Sequence, residues 1–178
     1  MSFKIYKDTI TTQFVINTTK SVLGYMDYND ASTSIAPVDI DANVWVDIPN
    51  DGAGEFTSIA YAPIGVTRLL DTTTGYVDFS QLNVGDCVSI RNDFTVTPNL
   101  NNSLLKFRYV AGLLYPFTQE QVLGRLDTGA GLGYRFSLKA DLLYIGSEDV
   151  RDGPVKLQVK LSDPGTLVNA GTVIKINR

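Results

Sequence analysis

Carboxylates are the residues of this chain that stand close enough together to suggest chemistry, and there is no histidine among its 178 residues to work with them. Histidine is the usual general base near neutral pH, the partner of serine and cysteine nucleophiles and the commonest transition-metal ligand, so its absence removes most hydrolase designs. Three carboxylate pairs are near in sequence: Asp39 with Asp41, Asp51 with Glu55, and Asp149 with Asp152. A glycosidase would hold such a pair about 5 to 9.5 Å apart in a cleft, and spacing along the chain does not establish that. The run Asn50-Asp51-Gly52-Ala53-Gly54-Glu55 offers oxygen ligands without the alternate-residue spacing of a calcium loop, and a turn explains it better. The glycines at 129, 131 and 133 lack the spacing of a phosphate loop and lead into a strand at Tyr134, so they read as a flexible hairpin loop. Cys87 is the sole cysteine; it excludes an intrachain disulfide and a multi-cysteine metal site, and without a histidine partner it reads as structural. The chain is therefore expected to be non-enzymatic, with no cofactor and no metal.

Aromatic residues are the other group that recognises ligands, because Tyr and Trp stack on sugars and anchor protein interfaces. Tyr25, Tyr28, Tyr61, Tyr76, Tyr115 and Trp45 are the candidates, although most aromatics of a strand-rich protein belong to its core.

Strands must position these residues. From Asp86 to Val110 two alternating segments flank a proline-containing turn: Val88, Ile90, Phe94 and Val96 share one parity, and Leu105, Phe107 and Tyr109 answer them. This predicts a β-hairpin with Arg91, Asp93, Lys106 and Arg108 outward, either as solvent-facing charge pairs or as contacts to a neighbouring subunit. Val44, Val46 and Ile48 alternate with Trp45, which places that ring on the outer parity. Further strands are expected at 13–17, 22–26, 56–61, 76–79, 134–140, 155–161 and 171–178. Thr118 as N-cap, with Gln121 three residues on and Phe117 able to staple to Val122, predicts one short helix. Many short strands with almost no helix point to an all-β, single-domain jelly-roll β-sandwich.

The bulk composition agrees: 44% hydrophobic, 19% charged and 15 glycines suit a turn-rich globular protein rather than a disordered one. Net charge is −4 with the basic residues scattered, which argues against nucleic acid as a partner. No apolar run approaches the roughly 20 residues of a membrane helix, and the N-terminus shows no signal peptide. Neither a membrane nor a secretory route is expected, and the glycosylation triplets at Asn17 and Asn101 are discounted accordingly.

Three blocks carry a resemblance: YNDASTSIAPVDIDANVWVDIPNDGAG, then YAPIGVTRLLDTTTGYVDFSQLNVGDCVSIRNDFTVTPNLNN, then GTLVNAGTVIKINR. In this order they resemble the jelly-roll virion proteins of tailed bacteriophages, whose fold is similar to the trimeric tumour-necrosis-factor or C1q type. The resemblance covers residues 28–178 and implies a homotrimer on a virion: a capsid decoration (cement) protein, a head fibre, or a tail or fibre module, with the major capsid protein as a partner. It makes Trp45, Tyr61 and Tyr109 candidate subunit-interface residues. Residues 1–27, with Phe3, Ile5, Tyr6 and Phe14, become a candidate attachment arm. The alternative is a receptor- or glycan-binding module, with host-surface glycans meeting loops such as Asp71 to Tyr76.

Overall fold

In a strand, successive side chains face opposite ways, so a half-buried sheet needs apolar residues at every second position. The structure, a computed structural model that describes residues 23–127 and 129–178, meets this in several of its strands. In chain order the elements are β1 (Leu23–Asn29), α1 (Ser32–Ile35), β2 (Val38–Ile40), β3 (Val46–Asp47), β4 (Leu70–Asp71), β5 (Tyr76–Asp78), β6 (Cys87–Pro98), β7 (Ser103–Ala111), β8 (Phe117–Leu126), β9 (Tyr134–Tyr144), α2 (Glu148–Asp152), β10 (Pro154–Leu161) and β11 (Gly165–Asn177). Val88, Ile90, Phe94 and Val96 of β6 are buried, as are Leu105, Phe107, Tyr109 and Ala111 of β7 and Val155, Leu157, Val159 and Leu161 of β10.

Two antiparallel sheets close over this core. One has the order β1-β11-β6-β9, with β2 also pairing β11; the other has β4-β5-β10-β7-β8, with β3 also pairing β10. The chain crosses between sheets after β2, β5, β6, β8, β9 and β10, and only β7 and β8 form a long hairpin of neighbours. That threading is the jelly roll, so the expected all-β sandwich forms. Rings meet across the interior: Phe94 of β6 stacks on Phe107 of β7 at 5.9 Å between centroids, and Phe107 meets Tyr109 edge-on at 4.8 Å.

One buried position of β6 is polar. Asn92 takes the core parity between Ile90 and Phe94, and its amide nitrogen donates to Asn169 Oδ1 (3.2 Å), Gly171 O (2.8 Å) and Thr172 Oγ1 (3.0 Å). It thereby holds the irregularity where the β11 register shifts between Asn169 and Gly171. Gly171 sits there at φ 152°, and a Cβ on it would lie 2.6 Å from Tyr28 O, so glycine is required. Thr33 of α1 locks the same bulge: the Asn169 N–H donates to Thr33 Oγ1 at 2.8 Å.

Several expectations are corrected. Asp86 to Val110 is not a hairpin: β6 and β7 lie in opposite sheets and face each other through the core. Alternation is the same for both arrangements, so periodicity does not separate them. The helix expected at Thr118 is instead strand β8, paired with β7 from Ser103↔Leu126 to Ala111↔Phe117. Capping signals are weak beside the hydrogen bonds that an otherwise open β7 edge offers. Residues 56–61 form no named strand, although Ser58 exchanges hydrogen bonds with Asp27 (2.8 and 2.9 Å) and Tyr25 N–H donates to Tyr61 O at 3.1 Å. This segment covers the free edge of β1. The glycine loop before Tyr134 joins two sheets rather than the arms of a hairpin. The strand expected at 13–17 lies outside the described residues, as do Phe3, Ile5, Tyr6 and Phe14 of the candidate arm, whereas residues 23–27 belong to β1.

Candidate functional site

Two of the sequence-paired carboxylates, Asp51 and Asp149, serve as turn caps. Asp51 Oδ1 accepts the N–H groups of Ala31 (3.0 Å) and Ala53 (2.9 Å). Burial pushes its pKa up, but these backbone donors together outweigh that and hold the carboxyl below its ordinary value. Asp149 accepts from the N–H groups of Leu113 (3.2 Å), Leu114 (2.8 Å) and Tyr115 (3.0 Å), and the donors from Leu114 and Tyr115 lower its pKa. Asp152 pairs with Arg151, which lowers its pKa in turn. A general acid needs a raised pKa, and these groups are shifted the other way. Asn50, in the loop that superficially suggested calcium, is buried and donates to Tyr28 O at 2.9 Å. Among the described residues no three metal-ligating side chains gather as a cation site.

Trp45 stands on the outer face of the β10 sheet, as its parity predicted. The Arg108 guanidinium carbon lies 4.1 Å from its ring centroid and Lys160 Nζ 4.7 Å, so the ring and its two cations span β3, β10 and β7. Beside them Lys156 Nζ lies 4.9 Å from the Tyr76 ring, and the Tyr76 hydroxyl donates to Asp47 Oδ2 at 2.6 Å. That bond, then burial, raises the Tyr76 pKa. Gln158 joins the halves: it donates to Asp47 Oδ1 and accepts from Arg108 Nε at 2.7 Å. Lys106 pairs with Glu120 at 2.9 Å, while Arg91 pairs with Asp93 of its own strand at 3.0 Å on the other sheet. Of the outward charges of the supposed hairpin, Arg91, Asp93 and Lys106 thus stand in ion pairs, none of which joins β6 to β7, while Arg108 lies over the Trp45 ring.

A second surface is apolar. Leu23, Tyr25, Ile59, Tyr61, Ile64 and Val173 line a groove of about 950 Å³ beside β1. Tyr25 and Tyr61 stack in it at 4.9 Å, and Tyr61 is 61% exposed. Arg178 shapes one wall by donating to Ile64 O (2.9 Å), to Gln81 O (2.7 Å) and to Asp86 Oδ2 (3.1 Å). A third feature complements the groove: Leu113, Leu114 and Tyr115 project at 70%, 74% and 84% exposure from the loop that Asp149 holds. Isolated exposed apolar residues are ordinary, but contiguous ones mark interaction sites.

Of the candidate interface residues, Tyr61 is exposed in the groove and Trp45 is half-buried beneath the cations' reach. Tyr109 is corrected: it is fully buried against Phe107 and presents no surface to another subunit. Lys160 at the Trp45 ring and Ile59 and Ile64 in the groove were not singled out by the sequence, whereas Arg108 was placed on the outward face. Only the lattice of neighbours across strands brings the cations to one ring, and no local motif records it.

No protein-family model matches the chain, and no curated protein matches it. Solved structures do. The structure of infectious bursal disease virus Gx strain is similar with a TM-score of 0.46 at 9% identity, covering 87% of this chain and 32% of that one. PRD1 vertex protein P5 is similar with a TM-score of 0.46 at 18% identity, covering 88% of this chain and 72% of that one. The chain spans about a third of the length of the bursal disease virus chain it matches. None of these likenesses is strong enough to carry an assignment.

Proposed function

We propose that this chain is a non-enzymatic structural protein of a virion, a homotrimeric capsid decoration (cement) or head-fibre protein that stands on the major capsid protein. The observation that carries the reading is the pairing, on one jelly roll, of an open apolar groove at Tyr25 and Tyr61 with an exposed apolar knob at Leu113 to Tyr115. Two different complementary patches on one subunit make head-to-tail contacts, which give a ring where the rotation between subunits closes and a filament where it does not; the proposed trimer is the closed, threefold case. The knob is held rigid by Asp149, so little conformational freedom is lost on docking. The sequence resemblance of residues 28–178 to phage virion proteins supports the threefold and particle-bound form, with residues 1–22, the part of the candidate arm that precedes β1, as the tether. Particles produced with the full chain should carry it at a copy number divisible by three, and deletion of residues 2–22 should abolish incorporation while the trimer persists. Incorporation by the truncated chain would remove the tether from this reading.

A second reading, a receptor- or glycan-binding module, is favoured by the aromatic and cationic face around Trp45 and Tyr76. The two roles are compatible on one trimer.

A further inference from the structure

We propose that the outer face of the β10 sheet is a binding site for an extended anionic saccharide, with Arg108, Lys160 and Lys156 as the anion-holding groups and Trp45 as the apolar platform. The inference rests on the second reading above and not on the trimer. Its first support is charge. Around Trp45 and Tyr76 the face gathers four cations, Lys106, Arg108, Lys156 and Lys160, on a chain whose net charge is −4; its carboxylates are Asp47, Glu120, Asp71 and Asp78, of which Glu120 is paired with Lys106, Asp78 with Arg68, and Asp71 caps its own turn at Thr73 and Thr74.

The second support is how those charges are held. Lys106 has its carboxylate partner in Glu120, but Arg108, Lys156 and Lys160 are in no ion pair among the described residues. Aromatic faces position them instead, and a π face attracts a cation without occupying its N–H donors. Arg108 donates through Nε to Gln158, which orients the guanidinium and leaves its terminal nitrogens uncommitted among the described contacts. A planar guanidinium oriented in this way suits bidentate recognition of a carboxylate or sulfate. Asp47, beside the site, accepts from the Tyr76 hydroxyl and the Gln158 amide, and Glu120, opposite Arg108 on β8, is paired with Lys106.

Spacing supplies the third support. Lys156 and Lys160 share one face of β10 four residues apart, about 13 Å at the rise of a strand. Arg108 and Lys106 lie alongside on β7, about 4.8 Å away across the sheet. A row of cations along a strand matches a polymer that carries charge at regular intervals, and the half-buried ring of Trp45 offers the apolar surface on which a sugar packs. An acidic polypeptide would satisfy the cations but has no use for the ring.

The test uses the full chain with alginate oligosaccharides as the carboxylated probe, dextran sulfate as the sulfated one, and neutral dextran and poly-glutamate as controls, read by titration calorimetry at two salt concentrations. Alginate or dextran sulfate should bind, more weakly at the higher salt, and neutral dextran should not. Arg108→Gln and Trp45→Phe should each lower affinity about tenfold, whereas Arg135→Gln on the opposite sheet should leave it unchanged. Melting and native mass of each variant establish that fold and assembly persist, which separates failure of this site from failure of the trimer. Absence of binding to both anionic saccharides, equal binding of neutral dextran, poly-glutamate binding as tightly as alginate, or full affinity in both variants would each overturn the proposal.

Discussion

Asn92 is fully buried at a position where every neighbour of its parity is apolar, and it survives there because its amide closes three contacts at the β11 bulge. Removing it leaves Gly171 O and the side chains of Asn169 and Thr172 short of a donor inside the sandwich, so Asn92→Ala should cost about 2 to 3 kcal/mol. Urea unfolding checks this, and a loss within a few tenths would show the bulge to be self-supporting. Asp149 is a residue of the opposite kind, exposed and working through three backbone donors. Its lowered pKa means that folding favours its ionised form, so the restraint on the Leu113 to Tyr115 knob is fully present above the ordinary carboxylate range and lost as pH falls through the lowered native value beneath it. Amide exchange of Leu114 and Tyr115 should accelerate below that pH relative to the β10 strand, and Asp149→Asn should show the faster exchange already at pH 7. Identical exchange in both proteins would contradict the assigned restraint.

At the scale of elements, the groove and the knob must be separable from the fold that carries them. Tyr61→Asp and Leu114→Asp alter side chains that the single subunit leaves exposed, so each should abolish assembly while melting as a folded monomer near the parent. A variant that still assembles would exclude its patch from the contact. These surfaces were only partly legible beforehand. Alternation in β6, β7, β10 and β11 correctly marked strands, and the outward parity of Trp45 held. Pairing was another matter. Val88 to Val96 and Leu105 to Tyr109 suit a hairpin or a pair of facing strands equally well, and the stacking of Phe94 on Phe107 decides for the second. Thr118 and Gln121 carry helix-start chemistry, yet β7 needs a partner and takes that segment as one. Asn92 went unremarked because a single polar residue inside an apolar stripe does not disturb its period. Of the knob only Tyr115 was marked beforehand, because Asp149 reaches the loop from more than thirty residues away.

The whole molecule is a jelly roll whose exposed apolar surface includes one groove and one projecting loop. In the proposed trimer those two features are the surfaces that meet. Sedimentation equilibrium of the full chain at neutral pH therefore tests the account most directly. It should give three times the 19.5 kDa of the single chain, with the trimer lost on Tyr61→Asp. A monodisperse species at the mass of one chain, folded and concentration-independent, would contradict it.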